Sequence, residues 1–345
     1  MEQGAYIAPA GHNYGEYQID ILPNTTSVGK ISRHCSKCDS TIDETEVSYL
    51  KLAGASLTLQ DNIQVNYKVA KSLIEQGYTD PYLICRMNGV ETKLSSYSVD
   101  GDYLVFSFKN IRPDQMNDTI TATLHATFCG ITFESEAKDY SIATYCYNML
   151  GKCTDDKYAQ FRTLLVDLLN YGSASQIYNN YNTSELVSSN LTEEQAACGT
   201  QGDISLSSVL NQEFAKVENP EVSWKGAGLN LTNSIKMRFI LEAADIENLN
   251  VKIQDGQKDW TIQSDTFERI GDTNYYYVYF NGLNAGQLSD SVYVTAYRDE
   301  AAISHTLCYS VESYAYSKQN DTNTALSDLV IAMMKYGNSA RLYAN

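Results

Sequence analysis

Gly54-Ala55-Ser56-Leu57-Thr58-Leu59 returns as Gly226-Ala227-Gly228-Leu229-Asn230-Leu231, 172 positions later (226 − 54 = 172). Working outward, the same offset carries Ile63 onto Ile235, Phe108 onto Phe280, Gln115 onto Gln287 and Asp118 onto Asp290. A register without gaps from Gly54 to His125 reads as one folding unit written twice, with the same strand pairing expected in both copies. The apolar residues alternate: Ile63, Val65, Tyr67 and Val69; Leu104, Phe106 and Phe108; Ile120, Ala122 and Leu124. A period of two gathers each set on one face of a strand. Asn88-Gly89, Asp100-Gly101 and Asp255-Gly256 supply the turn residues between strands. About seven short strands per copy suggest an immunoglobulin-like β-sandwich.

After Tyr140 and Tyr309 the period becomes helical. Ser141 and Ser310 are placed as N-caps, each with a hydroxyl to accept an orphan N–H of the first turn. Phe161, Leu164, Leu165, Leu168 and Leu169 form an i, i+3, i+4, i+7, i+8 stripe. It is answered 165 positions on by Leu326, Leu329, Val330, Met333 and Met334 (326 − 161 = 165). Such a stripe needs a surface to bury against, and the nearest is its own sandwich. Gly172 and Gly337 interrupt this helix at matching positions, which close packing explains better than catalysis does. The fold expected is mainly β with α. A small Cys-x2-Cys hairpin occupies residues 1–44, and repeat units of a sandwich plus two helices occupy 45–180 and 221–345. A polar linker over 181–220 joins them.

Composition narrows the function classes. A formal charge of −17 from 42 Asp+Glu against 25 Lys+Arg lacks the basic footprint that nucleic acid requires. No apolar run approaches the roughly 18 residues of a membrane helix, so no membrane insertion is expected of this segment. The 27 Tyr give a surface of neutral hydrogen-bonding groups suited to secreted and cell-surface proteins. The 8 Cys show no repeat-related pair and read mostly as buried thiols. Met1-Glu2-Gln3 opens without a basic or an apolar leader region, and the expectation is a segment cut from a larger secreted protein. Nucleophile elbows, His-Glu-x-x-His, phosphate-cradling loops and EF-hand strings do not occur. His125 and His305 have no repeat-related His, so no catalytic residue is expected.

Three strings carry a resemblance: Asn117-Asp118-Thr119-Ile120-Thr121-Ala122-Thr123-Leu124, Tyr140-Ser141-Ile142-Ala143-Thr144-Tyr145-Cys146-Tyr147, and Leu168 through Tyr178. They resemble a module of large secreted and cell-surface proteins of gut-type anaerobic Gram-positive bacteria, and residues 289–296, 309–316 and 335–343 echo them. The resemblance implies an extracellular, non-catalytic protein of adhesion or polysaccharide binding, partnered by a host or cell-surface glycan or protein. A structural spacer is the alternative, and a glycoside-active enzyme a more distant one. Gly11-His12-Asn13-Tyr14-Gly15-Glu16-Tyr17 with Arg33-His34-Cys35-Ser36-Lys37-Cys38-Asp39 resembles a short knuckle repeat of the same proteins. That repeat often has further Cys where this chain has Ala10 and Thr25 or Thr26.

Two constellations are candidate sites. His12, His34, Cys35 and Cys38 match a tetrahedral S2N2 zinc site, against the alternative of two thiols, free or bridged, in a small hairpin. Trp260, Tyr275, Tyr277, Tyr279, Tyr293 and Tyr297 are the candidate carbohydrate-binding residues, because aromatic faces stack on sugar rings while the hydroxyls bond to sugar OH groups. The five tyrosines are expected on one face of the second copy, where the first has Tyr103, Val105, Ser107, Thr121 and His125. The competing expectation is that the helical hairpin covers that face.

Overall fold

The computed structural model describes residues 11–58, 63–109, 111–209, 215–231 and 235–344. Leu59 of the repeated string, the opening Met1-Glu2-Gln3 and Ala10 lie outside the described residues. The chain is mainly β, in antiparallel sheets joined to a few helices. Its elements are β1 (Tyr14–Ile21), β2 (Gly29–Cys35), β3 (Thr41–Val47), β4 (Gly54–Thr58), β5 (Gln64–Ala70), α1 (Ser72–Glu75), β6 (Thr79–Met87), β7 (Val90–Leu94), β8 (Ser98–Asp100), β9 (Tyr103–Phe108), β10 (Ile120–Phe128), β11 (Ile131–Glu134) and β12 (Lys138–Tyr140). There follow α2 (Ile142–Lys152), α3 (Ala159–Asn179), α4 (Glu193–Ala196), β13 (Ser223–Asn230), β14 (Lys236–Glu242), β15 (Leu249–Gln254), β16 (Asp259–Gln263), β17 (Glu268–Arg269) and β18 (Tyr275–Phe280). The last are β19 (Val292–Arg298), β20 (Ala301–Ala302), β21 (Leu307–Tyr309), α5 (Val311–Lys318) and α6 (Thr324–Ala344). Contacts divide the chain into two units, one holding residues up to Ser56, Asn66–Phe108 and Thr119–Tyr140, the other Leu57–Val65, Lys109–Asp118 and everything from Ser141 on.

Sheet order repeats as the sequence does. β1-β2-β3 is a separate meander. The first copy has sheets β4-β5-β9-β8 and β11-β10-β6-β7, with β12 also on β10. The second has β13-β14-β18-β17 and β16-β15-β19-β20, with β21 also on β19. The expected alternation holds: Val65, Tyr67, Val69, Leu104, Phe106, Ile120, Ala122 and Leu124 are all buried. In each copy the two sheets meet through these apolar faces at equivalent rings. Tyr67 stands edge-on to Tyr140 at 6.3 Å, and Phe239 to Tyr309 at 6.0 Å.

The register is not uniform, which corrects the reading without gaps. Leu124 faces Leu83 across β10 and β6, whereas its counterpart Ala296 faces Val251 across β19 and β15. Leu83 therefore corresponds to Val251, an offset of 168 (251 − 83), while the strands on either side keep 172. The first copy carries α1 in the loop before this hairpin, and the second a 3₁₀ turn, Ser264–Thr266, after it. The two differences cancel by Tyr275, where the offset of 172 returns.

Helix capping follows the sequence. Ser141 Oγ accepts the Thr144 N–H at 3.1 Å and Ser310 Oγ the Ser313 N–H at 3.0 Å. The repeated glutamines cap the 3₁₀ turns Pro113–Gln115 and Ala285–Gln287, Gln115 Oε1 accepting the Arg112 N–H and Gln287 Oε1 the Asn284 N–H. The apolar stripes do not rest mainly on the sheets. α3 and α6 lie against one another, and Tyr171 stacks on Tyr336, its own repeat counterpart, at 5.7 Å and 11°. Each long helix also presses on its 3₁₀ turn, which accounts for the glycines. A Cβ at Gly172 would stand 2.6 Å from Val187 Cγ1 and 2.9 Å from Met116 Sδ; one at Gly337 would stand 2.8 Å from Leu288 Cδ1.

The connecting stretch is tied along α3. Fully buried Gln176 accepts the Val187 N–H at 2.8 Å and donates to the carbonyls of Asn182 and Glu185. Buried Asp167 accepts from the Thr200 N–H and hydroxyl at 2.8 and 2.7 Å.

Candidate functional sites

The knuckle is assembled by the pairing of β1 with β2, where Tyr14 faces Cys35. The Ser36 N–H donates to the Asn13 carbonyl at 2.9 Å and the Cys35 N–H to the Ser40 carbonyl at 3.0 Å. These bonds fold the Cys-x2-Cys turn over the segment just before β1 that carries His12. The ligand atoms of His12, Cys35 and Cys38 come within 4.8 Å of one another. Cys38 Sγ lies 3.3 Å from His12 Nδ1, which is also 3.2 Å from Ser40 Oγ. The imidazole stacks on Tyr14 at 5.4 Å. Backbone N–H groups of Lys37 and Asn13 both point at Cys35 Sγ, each 3.4 Å away. Together with His12 and Cys38 they draw its thiol down to about 6 by favouring the thiolate.

His34 does not join the cluster, against the expected four-ligand set. Successive residues of a strand face opposite sides. With Cys35 turned toward His12, the His34 ring goes the other way, to Asp20 Oδ1 at 2.6 Å. Thr26 is occupied in a turn in which Asn24 Oδ1 accepts from its N–H and hydroxyl.

The aromatic candidates separate into three places. Tyr275, Tyr277 and Tyr279 lie half-buried on the outer side of β18, while Tyr276, Val278 and Phe280 are buried on the inner side. Tyr277 and Tyr279 have ring centroids 5.9 Å apart, and the Arg238 guanidinium sits 4.8 Å from the Tyr277 ring. Burial, with Glu268 alongside, holds the Tyr279 hydroxyl above its ordinary pKa. Tyr293 and Tyr297 flank buried Val294 and Ala296 on β19, which belongs to the other sheet. Since the two sheets meet through their buried faces, their outer faces look in opposite directions, and five tyrosines cannot form one platform. Lys252 lies over the Tyr297 ring at 4.4 Å. Trp260 faces inward: its register partner is buried Ile253, and its ring stands edge-on to Phe280 at 5.0 Å.

The first copy also has an aromatic pair on the corresponding outer face, one partner of which lies on the strand whose offset is 168 rather than 172. His125 stacks on Tyr82 at 4.9 Å and 7°, with Lys93 over the Tyr82 ring at 3.8 Å. His305 is structural: its Nδ1 accepts the Val217 N–H and its carbonyl the Trp224 indole N–H, both at 3.1 Å. A cavity of about 770 Å3 is lined by Leu57, Tyr145, Phe161, Asn284 and Tyr343 among others, and no carboxylate is among its described lining residues. No helix among the described residues is long and apolar enough to cross a membrane. Compared with known proteins, the chain matches no family model and no curated protein sequence.

Proposed function

We propose that this is a non-catalytic, extracellular cell-surface protein built from two immunoglobulin-like repeats, whose second copy binds a polysaccharide or surface glycan. The observation that carries the reading is the outer face of β18. Tyr275, Tyr277 and Tyr279 follow one another along the strand, half-exposed, with Arg238 beneath Tyr277 and Glu268 opposite it in register. Residues two apart on a strand are about 6.6 Å apart, so the rings form a ladder for an extended chain of sugar units. Stacking supplies the contact and the flanking hydroxyl, guanidinium and carboxylate groups supply hydrogen bonds. The corresponding face of the first copy has Ser107 hydrogen-bonded to Asn66 at 2.7 Å, a polar surface with less to stack on. The resemblance to surface modules of gut-type anaerobic Gram-positive bacteria supports the extracellular setting.

Affinity electrophoresis of the full chain on starch, xylan and mucin glycans tests the reading. Retardation by at least one glycan is expected, abolished by Tyr277→Ala with Tyr279→Ala and unchanged by Tyr293→Ala with Tyr297→Ala. If none of the glycans retards the chain, or if the second pair matters and the first does not, β18 is not the platform. A spacer role would then be the better reading.

A further inference from the structure

We propose that His12 Nδ1, Cys35 Sγ and Cys38 Sγ bind one zinc ion, with the fourth tetrahedral position left to an exchangeable ligand. Two thiolates and an imidazole are donors that zinc prefers. All three donor atoms already lie within 4.8 Å of one another, so closing on a single ion needs only small side-chain adjustments. The turn is prepared for charge on sulfur: two backbone N–H groups converge on Cys35 Sγ, and a sulfur that accepts two such bonds favours the anionic form that ligates metal. The imidazole is prepared as well. Tyr14 supports the ring face while its hydroxyl meets Ser40 Oγ at 2.8 Å, and Ser40 Oγ in turn touches the same Nδ1 that turns toward Cys38.

Binding displaces whatever thiol protons remain on the two cysteines and changes no oxidation state. Two thiolates neutralise the dication without further carboxylates. Only His12, Cys35 and Cys38 among the described residues form such a cluster. His12 and Cys38 are exposed, so the ion lies at the surface of the β1-β2-β3 meander and takes water or an added ligand in its fourth position. This is the coordination of an accessible rather than a closed site. The site is independent of the tyrosine ladder, and neither proposal depends on the other.

Cobalt substitution of the reduced full-length chain is the test. Titration is expected to give near-ultraviolet thiolate-to-metal absorption that saturates at one ion per chain and is abolished by an equivalent of zinc. Added imidazole should shift the visible cobalt bands, because it enters the open position. His34→Ala should leave the titration unchanged. His12→Ala and Cys38→Ser should remove it, and since both positions are exposed, their loss reports ligation rather than misfolding. A reduced chain that gives no charge-transfer absorption, or a His34→Ala variant that loses it, overturns the site. Visible bands unmoved by imidazole overturn the open fourth position.

Discussion

The two copies agree on their inner faces and diverge on their outer ones. Inside, the edge-on ring pair Tyr67 and Tyr140 is matched by Phe239 and Tyr309, the capping serines by one another, and the glycine notch in α3 by that in α6. Outside, the first copy sets Asn66 against Ser107 where the second sets Arg238 against tyrosines, and His125 on Tyr82 where the second has Lys252 over Tyr297. Interiors are close-packed, so a change in one residue is resisted by its neighbours. An outer face has no such neighbours, and each copy is free to acquire its own chemistry there.

The largest expected difference between the copies lies at the end of the long helix. Gln176→Ala removes a fully buried amide that satisfies one backbone N–H and two carbonyls, and leaves the Val187 N–H without its acceptor. A loss of about 2–3 kcal/mol in denaturant unfolding is expected. Its counterpart is Arg341 (176 + 165 = 341), which is exposed, and Arg341→Ala should change stability by about 0.5 kcal/mol or less. Equal costs would show that the strap after α3 does not depend on Gln176.

The glycine notches should behave alike. Gly172→Ala and Gly337→Ala each place a methyl within 2.9 Å of side-chain atoms and within 3.2 Å of a carbonyl oxygen, of Pro113 and Ala285 respectively. Overpacking of this kind costs about 1–3 kcal/mol and outweighs the helix preference of alanine, roughly 1 kcal/mol. A rise in thermal midpoint for either variant would remove close approach as the reason for the glycine.

A smaller effect of opposite sign is expected at the inter-sheet ring pair. The Tyr67 hydroxyl is buried with no hydrogen-bond partner among the described residues, whereas Phe239 has no hydroxyl to satisfy. Tyr67→Phe should therefore stabilise the first copy by about 1 kcal/mol, seen as a shift in denaturant midpoint without a change in slope.

The smallest effect is a pH dependence confined to the first copy. Burial, reinforced by Arg86 and Lys93 and opposed by Glu134 and Glu91, holds His125 below its usual pKa. The fold thus favours the neutral ring. Its contribution is complete above the unfolded value of about 6.5 and is lost as pH falls through the lower folded value. His125→Phe keeps the stack on Tyr82 but cannot titrate. Its thermal midpoint relative to wild type should rise between pH 8 and pH 5, and a difference constant across that range would rule out His125 as the titrating group.

Much of the local design is legible in the sequence because its causes are local. Ser141 and Ser310 cap the next turn whatever surrounds them, and Val65, Tyr67 and Val69 alternate because the chain is extended. Sequence and structure part where distance along the chain differs from position in space. His34 is adjacent to Cys35 in sequence, but strand alternation turns the two side chains apart. Tyr277 and Tyr297 lie on consecutive long strands, but β18 and β19 belong to different sheets. The shifted hairpin leaves no trace in the flanking offsets because compensating loops restore them.

The sequence by itself determined the recurring residue pattern, the helical and extended segments, their caps, and which face of each strand is apolar. These follow from period and backbone chemistry acting over a few residues. Which faces become neighbours, which donors converge at the knuckle, and the stacking of Tyr171 on Tyr336 across the two long helices were decided only by the tertiary structure. Strand order and helix pairing depend on contacts between residues far apart in the chain, which no local pattern encodes.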